Sequence, residues 1–214
     1  MLNDSMLFQF NDWEEARARQ AELARLVVVK GPARFKPTWV CALDMAYSGK
    51  SAFAAAVTLD TETLRIVEVA SSKGRIKVPY LPGFLGFREG PLTVSAARKL
   101  RGPIDVFLVD GHGRIHPRRF GLACHVGLAL NKPTIGVAKS WFYGKIRGDA
   151  IIGRRSELLG RIVKARNGKL FYLSVGHLVG LEGATRLVQR LLDSYPAGLR
   201  AAHLEARRLG RKRG

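Results

Sequence analysis

At 214 residues the chain is long enough to bury a true hydrophobic core in one domain, without disulfide or metal staples. It carries 36 Lys and Arg against 17 Asp and Glu, a formal charge of +19, and this imbalance predicts a polyanionic partner, nucleic acid rather than a membrane surface. The two cysteines, Cys41 and Cys124, are far apart and indicate neither a disulfide framework nor a four-ligand zinc site; no apolar run reaches the roughly 18 residues of a membrane span, so a soluble, cytoplasmic monomer is expected.

In chain order, acids followed by Ala, Leu and Arg at helical spacing predict a helix over 12–28, with Asn11 or Asp12 as its cap. Gly31, Pro32 and Pro37 break it. Strands are expected from 38–44 (TWVCALD), over 53–60 and over 63–71, with a further extended piece at 75–78, and together they read as an antiparallel meander. The loop VPYLPGFLGF leads to a helix over 89–101, a strand over 104–110 (IDVFLVD), a helix over 119–130 and a strand over 133–139. A linker rich in Gly and Arg follows, then a strand pair at 161–165 and 170–175 and helices over 180–194 and 199–209. The body, 1–206, is expected to form one catalytic domain, and 207–214 a basic tail. That tail holds five positive charges, so the body alone keeps 31 against 17, or +14.

A meander followed by α, β, α, β resembles the ribonuclease H-like topology, an α/β fold with a mixed central sheet flanked by helices. The resemblance implies that the first and fourth strands lie parallel and adjacent, bringing together Asp44 and Asp110, each the first carboxylate after an apolar run. Adjacent carboxylates repel unless a cation lies between them, and oxygen ligands suit Mg²⁺ or Mn²⁺. Glu89, where the helix is expected to begin, either favours the helix dipole or completes a metal site. Gly49, Lys50 and Ser51 after a strand raise a P-loop as the rival reading. The pattern then needs Gly at the position of Asp44, whose charge would repel phosphate.

Pro79 and Pro82 stiffen the backbone around Tyr80, whose ring could wedge into a base stack or simply pack under the loop. The run DGHGRIHPRR offers Gly111 and Gly113 for close backbone approach, His112 and His116, and Arg118 and Arg119 for phosphates; a zinc site there lacks a third ligand. Lys139 ends a strand near the two acids, and His177 ends another.

Together VPYLPGFLGFREGP, VDGHGRIHPRRFGLACHVGL and PTIGVAKS resemble the central motifs of the endonuclease V family, with the likeness running over about 10–195. By that resemblance Asp44, Glu89, Asp110 and His177 match catalytic and metal-site positions, Tyr80 the wedge tyrosine, and Lys139 a phosphate-contacting lysine. Gly83, Leu85, Gly111, His116, Leu122, Gly136 and Ala138 fall where the family encloses a flipped hypoxanthine. The resemblance implies Mg²⁺-dependent cleavage of DNA containing deoxyinosine, at the second phosphodiester bond 3′ to the lesion, leaving 3′-hydroxyl and 5′-phosphate ends, with Mn²⁺ substituting. Inosine-containing RNA as substrate, and a non-catalytic nucleic-acid-binding protein, remain alternatives. The sequence departs from the family in a shorter stretch at 145–160, in YPAGLRAAH where Pro-Glu-Pro-Thr-Arg is common, and in Cys124 where Ser is usual.

Overall fold

Side chains alternate across a strand, so in a strand covered on both sides the odd and even residues enter different cores. The first strand, β1 (Trp39–Ser48), shows the rule. Cys41, Leu43 and Met45 enter one buried cluster, and Val40 and Ala42 enter another. A computed structural model describes residues 3–32, 34–193 and 195–211 of the chain. Around β1 it forms a nine-stranded sheet ordered β3-β2-β1-β4-β5-β9-β8-β7-β6, with β2 (Ser51–Asp60), β3 (Ile66–Arg75), β4 (Val106–Asp110), β5 (Thr134–Ala138), β6 (Lys145–Arg147), β7 (Ala150–Ile152), β8 (Leu158–Lys164) and β9 (Leu170–His177). The β1-β2-β3 meander is antiparallel, β4 and β5 run parallel to β1, and β9 returns antiparallel to β5. This is the expected ribonuclease H-like arrangement.

Helices α1 (Asp4–Phe8), α3 (Leu85–Ala97) and α4 (Leu122–Leu130) share the cluster with Cys41 and Leu43, whereas α5 (Leu181–Leu191) and α6 (Ala197–Arg211) cover the face of Val40 and Ala42. α2 (Trp13–Leu23) is capped by Asp12, whose side chain accepts from the Glu15 amide at 2.8 Å. It ends earlier than expected because Val27–Val29 are extended, with Val28 O accepting from the Leu178 amide at 2.7 Å. None of the described helices is long and apolar enough to cross a membrane.

Three departures from the sequence reading bear on the site. β1 does not end at Asp44; it continues to Ser48 and turns through Gly49 (φ +56°) and Lys50 into β2, so Gly49-Lys50-Ser51 is a hairpin and not a phosphate loop. α3 begins at Leu85, which places Glu89 inside the helix rather than at its start. The Gly- and Arg-rich linker forms the β6-β7 hairpin and extends the sheet. Arg207, Arg208 and Arg211 stand on α6; Lys212, Arg213 and Gly214 lie outside the described residues.

Two features of the α3–α4 contact generate tests. A Cβ on Gly86 would sit 1.8 Å from His125 Nδ1, so Gly86→Ala is expected to lower stability by about 1–3 kcal/mol in urea unfolding, despite the roughly 1 kcal/mol of helix propensity gained. An unchanged midpoint would show that the ring can move aside. His125 itself is wholly buried, its ring centroid 4.4 to 5.6 Å from those of Phe8, Phe87 and Phe120, and burial pushes it down to about 3 from the ordinary 6.5. Unfolding therefore takes up a proton at acid pH: the contribution is complete above pH 6.5 and is lost as pH falls toward 3. His125→Leu is expected to flatten the fall in urea midpoint across that window, and an unaltered slope would assign the acid lability to other groups.

Candidate active site

The parallel register pairs Leu43 with Val109, so one step further Asp44 and Asp110 stand side by side. Both have even parity with Ala42 and Leu108, and both therefore face α6. Asp44 Oδ2 lies 2.8 Å from His203 Nδ1 on α6, while its Oδ1 accepts from the Met45 amide at 2.7 Å. Burial, and then the neighbouring Asp110 charge, push the Asp44 carboxyl up to about 6. Asp110 Oδ2 accepts from Lys139 Nζ at 2.5 Å and from the Tyr195 hydroxyl at 3.3 Å. Burial works against the Lys139 ammonium, but the hydrogen bonds and charges of Asp110 and Tyr195 together outweigh it and hold the ammonium above its ordinary range.

Glu89 comes from α3, on the other side of the sheet end, and accepts a hydrogen bond from the Tyr47 hydroxyl. Arg88 lies over the Tyr47 ring at 4.9 Å and holds it there. Burial raises Glu89 to about 7, and the charges of Asp44 and Asp110 add to this against the Tyr47 hydrogen bond. Three carboxylates thus converge at one sheet end, with the charges of Asp44 and Asp110 bearing on Glu89. Among the described residues, no group of three or more His, Cys, Asp or Glu side chains is gathered closely enough to hold an ion as it stands. Lys139 and Tyr47 meet part of the demand instead.

Beside this cluster lies a cavity of about 270 Å³ that shares Asp110 and Lys139 with it. Of the residues expected to enclose a base, Gly83, Leu85, Gly111, His116, Leu122 and Ala138 line it, with Tyr80 and Pro82 at its edge. Gly136 does not: it lies behind the wall, where a Cβ would come within 2.5 Å of Gly111 O, while Pro79, expected to stiffen the Tyr80 loop, lines a separate cleft toward α1 and α2. Gly136 therefore lets the Asp110–Gly113 turn approach β5. His116 is 2 % exposed and pushed down to about 3 by burial, so it is neutral. Its Nδ1 accepts from the Arg118 amide at 3.1 Å, which leaves Nε2 to donate to Gly83 O at 2.9 Å. Arg118 and Gln20 donate to the same carbonyl, and Gly83 (φ +85°) is pinned in a conformation that favours glycine. Tyr80, at 69 % exposure, is the most exposed large apolar side chain among the described residues.

The structure does not bring His177 to the acids. It pairs with Thr134 at the start of β5, three residues and about 10 Å from Val137, the partner of Asp110. There His177 is buried and its Nδ1 accepts from the Val28 amide at 3.2 Å. A strand-end histidine was expected at the acidic end, but β9 runs antiparallel to β5, and its C-terminus lies at the opposite edge. His203 occupies the position beside Asp44 instead. Its signal was the departing segment YPAGLRAAH: Leu199 and Ala202 are buried against the sheet, and a Cβ on Gly198 would meet Ala42 at 3.0 Å, so α6 lies close on β1. Tyr47, Tyr195 and Phe142 also escaped the sequence reading.

The sheet order and its acidic centre define a ribonuclease H-like protein. Comparison with known proteins narrows this: the Endonuclease V family profile matches residues 21–204. Endonuclease V of Nocardia farcinica is 41% identical over 191 residues, covering 85% of this chain and 84% of that one, and that of Thermofilum pendens is 36% identical over 201 residues, covering 90% and 87%. The crystal structure of Endonuclease V from Streptomyces avermitilis superposes with a TM-score of 0.85 at 36% identity, over 95% of each chain. The Ciona intestinalis enzyme, in complex with a 24mer DNA containing an inosine followed by a ribo-adenosine, gives 0.83 at 26% identity, over 93% and 98%. The chain belongs to the Endonuclease V family.

Position separates the two histidines experimentally. His203→Ala is expected to lower nuclease turnover about 10²–10⁴-fold. His177→Ala should leave turnover within about threefold and lower the thermal midpoint, since it empties a buried site. The reverse pattern would return the active-site role to His177.

Proposed function

We propose that this chain is a metal-dependent endonuclease that recognises hypoxanthine in DNA by base flipping and cuts the second phosphodiester bond 3′ to it, leaving 3′-hydroxyl and 5′-phosphate ends. One observation carries the reading: a cavity with room for a single heterocycle and a cluster of three carboxylates share Asp110 and Lys139. Recognition and hydrolysis are thereby coupled in space. Family membership and the inosine-containing DNA bound by the Ciona relative support the same reading.

Asp44, Asp110 and Glu89 would hold the cation, and Mg²⁺ fits their hard oxygen donors, with Mn²⁺ able to substitute. The raised carboxyls of Asp44 and Glu89 argue that the site calls for positive charge. When bound, the ion supplies Lewis acidity toward the phosphate and makes a water a better nucleophile. His203 holds Asp44, and from there it would orient an attacking water or take its proton. Lys139 is released from Asp110 to meet the phosphate. Tyr80, carried on a backbone stiffened by Pro79 and Pro82, fills the stack that the flipped base leaves. The neutral His116, by fixing the Gly83 carbonyl, keeps the pocket's main chain in place for reading the base edge. A cytoplasmic location fits an enzyme whose two cysteines are free and buried.

A ribonucleotide next to inosine in the Ciona complex keeps inosine-containing RNA as the second reading. End-labelled duplexes carrying one deoxyinosine or adenosine, and the matching RNA strands, separate the possibilities in Mg²⁺ or EDTA. A Mg²⁺-dependent nick one nucleotide beyond deoxyinosine is expected; cutting of the RNA alone would favour the second reading, and binding without any nick would leave a non-catalytic protein. Two variants test the parts. Asp110→Asn should abolish the nick and also the rise in thermal midpoint that Mg²⁺ gives the wild type, a readout independent of activity. Tyr80→Ala should lower inosine-over-adenosine preference about tenfold or more while keeping that Mg²⁺ shift, and an unchanged preference would remove the wedge role.

A further inference from the structure

Beyond Lys139 the chain runs through Trp141, Phe142 and Tyr143 into the β6-β7 hairpin and a short 3-10 turn, Arg154–Ser156. These segments enclose a groove of about 590 Å³, lined by the three aromatic residues and by Arg147, Arg154 and Arg155 among others. Phe142 lines both this groove and the base cavity, so the two are neighbours. The charges in the groove are uncompensated. Glu157 is taken up by Arg114 and Arg119, and Asp149 accepts from Arg161 at 2.9 Å, so the nearest acids in sequence are spent on other arginines. Arg147, Arg154 and Arg155 make no ion pair among the described residues.

The rings differ in what they have left to offer. Phe142 is stacked on His112 with centroids 5.7 Å apart, and Arg119 lies over Tyr143 at 5.2 Å. Trp141 has neither kind of partner among the described residues. It is 50 % exposed, and its indole N–H donates to Gly144 O at 3.1 Å, which fixes the ring and leaves its π-face as the available surface. A fixed, exposed aromatic face beside unpaired arginines is the chemistry that holds an unpaired nucleotide, the base by stacking and the backbone by charge.

We propose that this groove holds the nucleotide adjoining the flipped inosine on the same strand, with its base stacked on Trp141 and its phosphate against Arg147, Arg154 and Arg155. The proposal rests on the inosine endonuclease reading. It makes the enzyme sense the neighbour of the lesion as well as the lesion, and it binds that neighbour without reading its identity, because every base has a π-face.

The test uses the full chain in Mg²⁺ with single-stranded inosine oligonucleotides, intact or with an abasic residue on one side of the inosine or the other. For the wild type, one of the abasic substitutions should raise KM about tenfold with kcat unchanged. Trp141→Ala should raise KM for the intact strand by the same factor and become indifferent to that abasic residue, while Trp141→Phe stays within about threefold of wild type. Arg154→Gln with Arg155→Gln should make the dependence of log KM on log salt shallower by about 0.7 for each phosphate that is no longer neutralised. A wild type that nicks inosine strands with the same KM whichever flank is abasic overturns the groove and leaves the enzyme reading intact. Equal KM for wild type and Trp141→Ala does the same. A wild type that makes no inosine-dependent nick overturns the enzyme reading, and the groove falls with it.

Discussion

Two carboxylates stand side by side at the centre of this sheet because β1 and β4 are parallel neighbours and because Asp44 and Asp110 share a parity. Partly removed from water, like charges at that spacing raise the free energy of the ionised pair, and most of the surrounding design answers this cost. Lys139 and Tyr195 reach Asp110, His203 reaches Asp44, and Tyr47 reaches Glu89. None of these partners adjoins its acid in sequence. The fold is therefore organised around a concentration of negative charge inside a strongly basic molecule, and the same contrast lets it attract a polyanion while presenting acids at the point of reaction.

Close backbone approach is the second constraint. Gly136 lets the turn after β4 lie against β5, Gly86 lets α3 lie against His125 on α4, and Gly198 lets α6 lie against β1. A side chain at the first would displace the cavity wall, and at the third would withdraw His203 from Asp44. Rigidity comes from buried polar contacts: the Gly83 carbonyl accepts from His116, Arg118 and Gln20, which ties the loop that carries Tyr80 to the loop after β4 and to α2. The recognition cavity is thus framed by main chain held from two elements, while Tyr80 at its rim stays exposed.

Much of this was legible from local pattern. Apolar runs placed the meander and the central strands, the acid-first helix was found with Asp12 as its cap though shorter than 12–28, and each aspartate's position after an apolar run marked it as a candidate for the site. Ends of elements were less legible. The VPYLPGFLGF run read as loop, yet its last three residues, Leu85, Gly86 and Phe87, lie within α3, where Gly86 and, further along, Gly90 make room for His125 and Phe8. The 145–160 stretch read as linker because its two hairpin strands are three residues long, too short to show a period, and are set among Gly and Arg.

The sequence by itself determined the alternation of buried and exposed residues, the basic charge, the stiff Pro-Tyr-x-Pro loop and the residues able to act as acids, because each depends on neighbours within a few positions along the chain. Only the tertiary structure decided which strand end meets which. His177 ends an apolar strand and His203 stands within an amphipathic helix, and nothing local says which of them meets the acids. The antiparallel return of β9 carries His177 to the far edge of the sheet, and the close crossing of α6 over β1 carries His203 to Asp44. Strand direction and helix crossing are set by how the whole core closes, through contacts between residues more than a hundred positions apart, and it is there that the acidic site acquires its histidine.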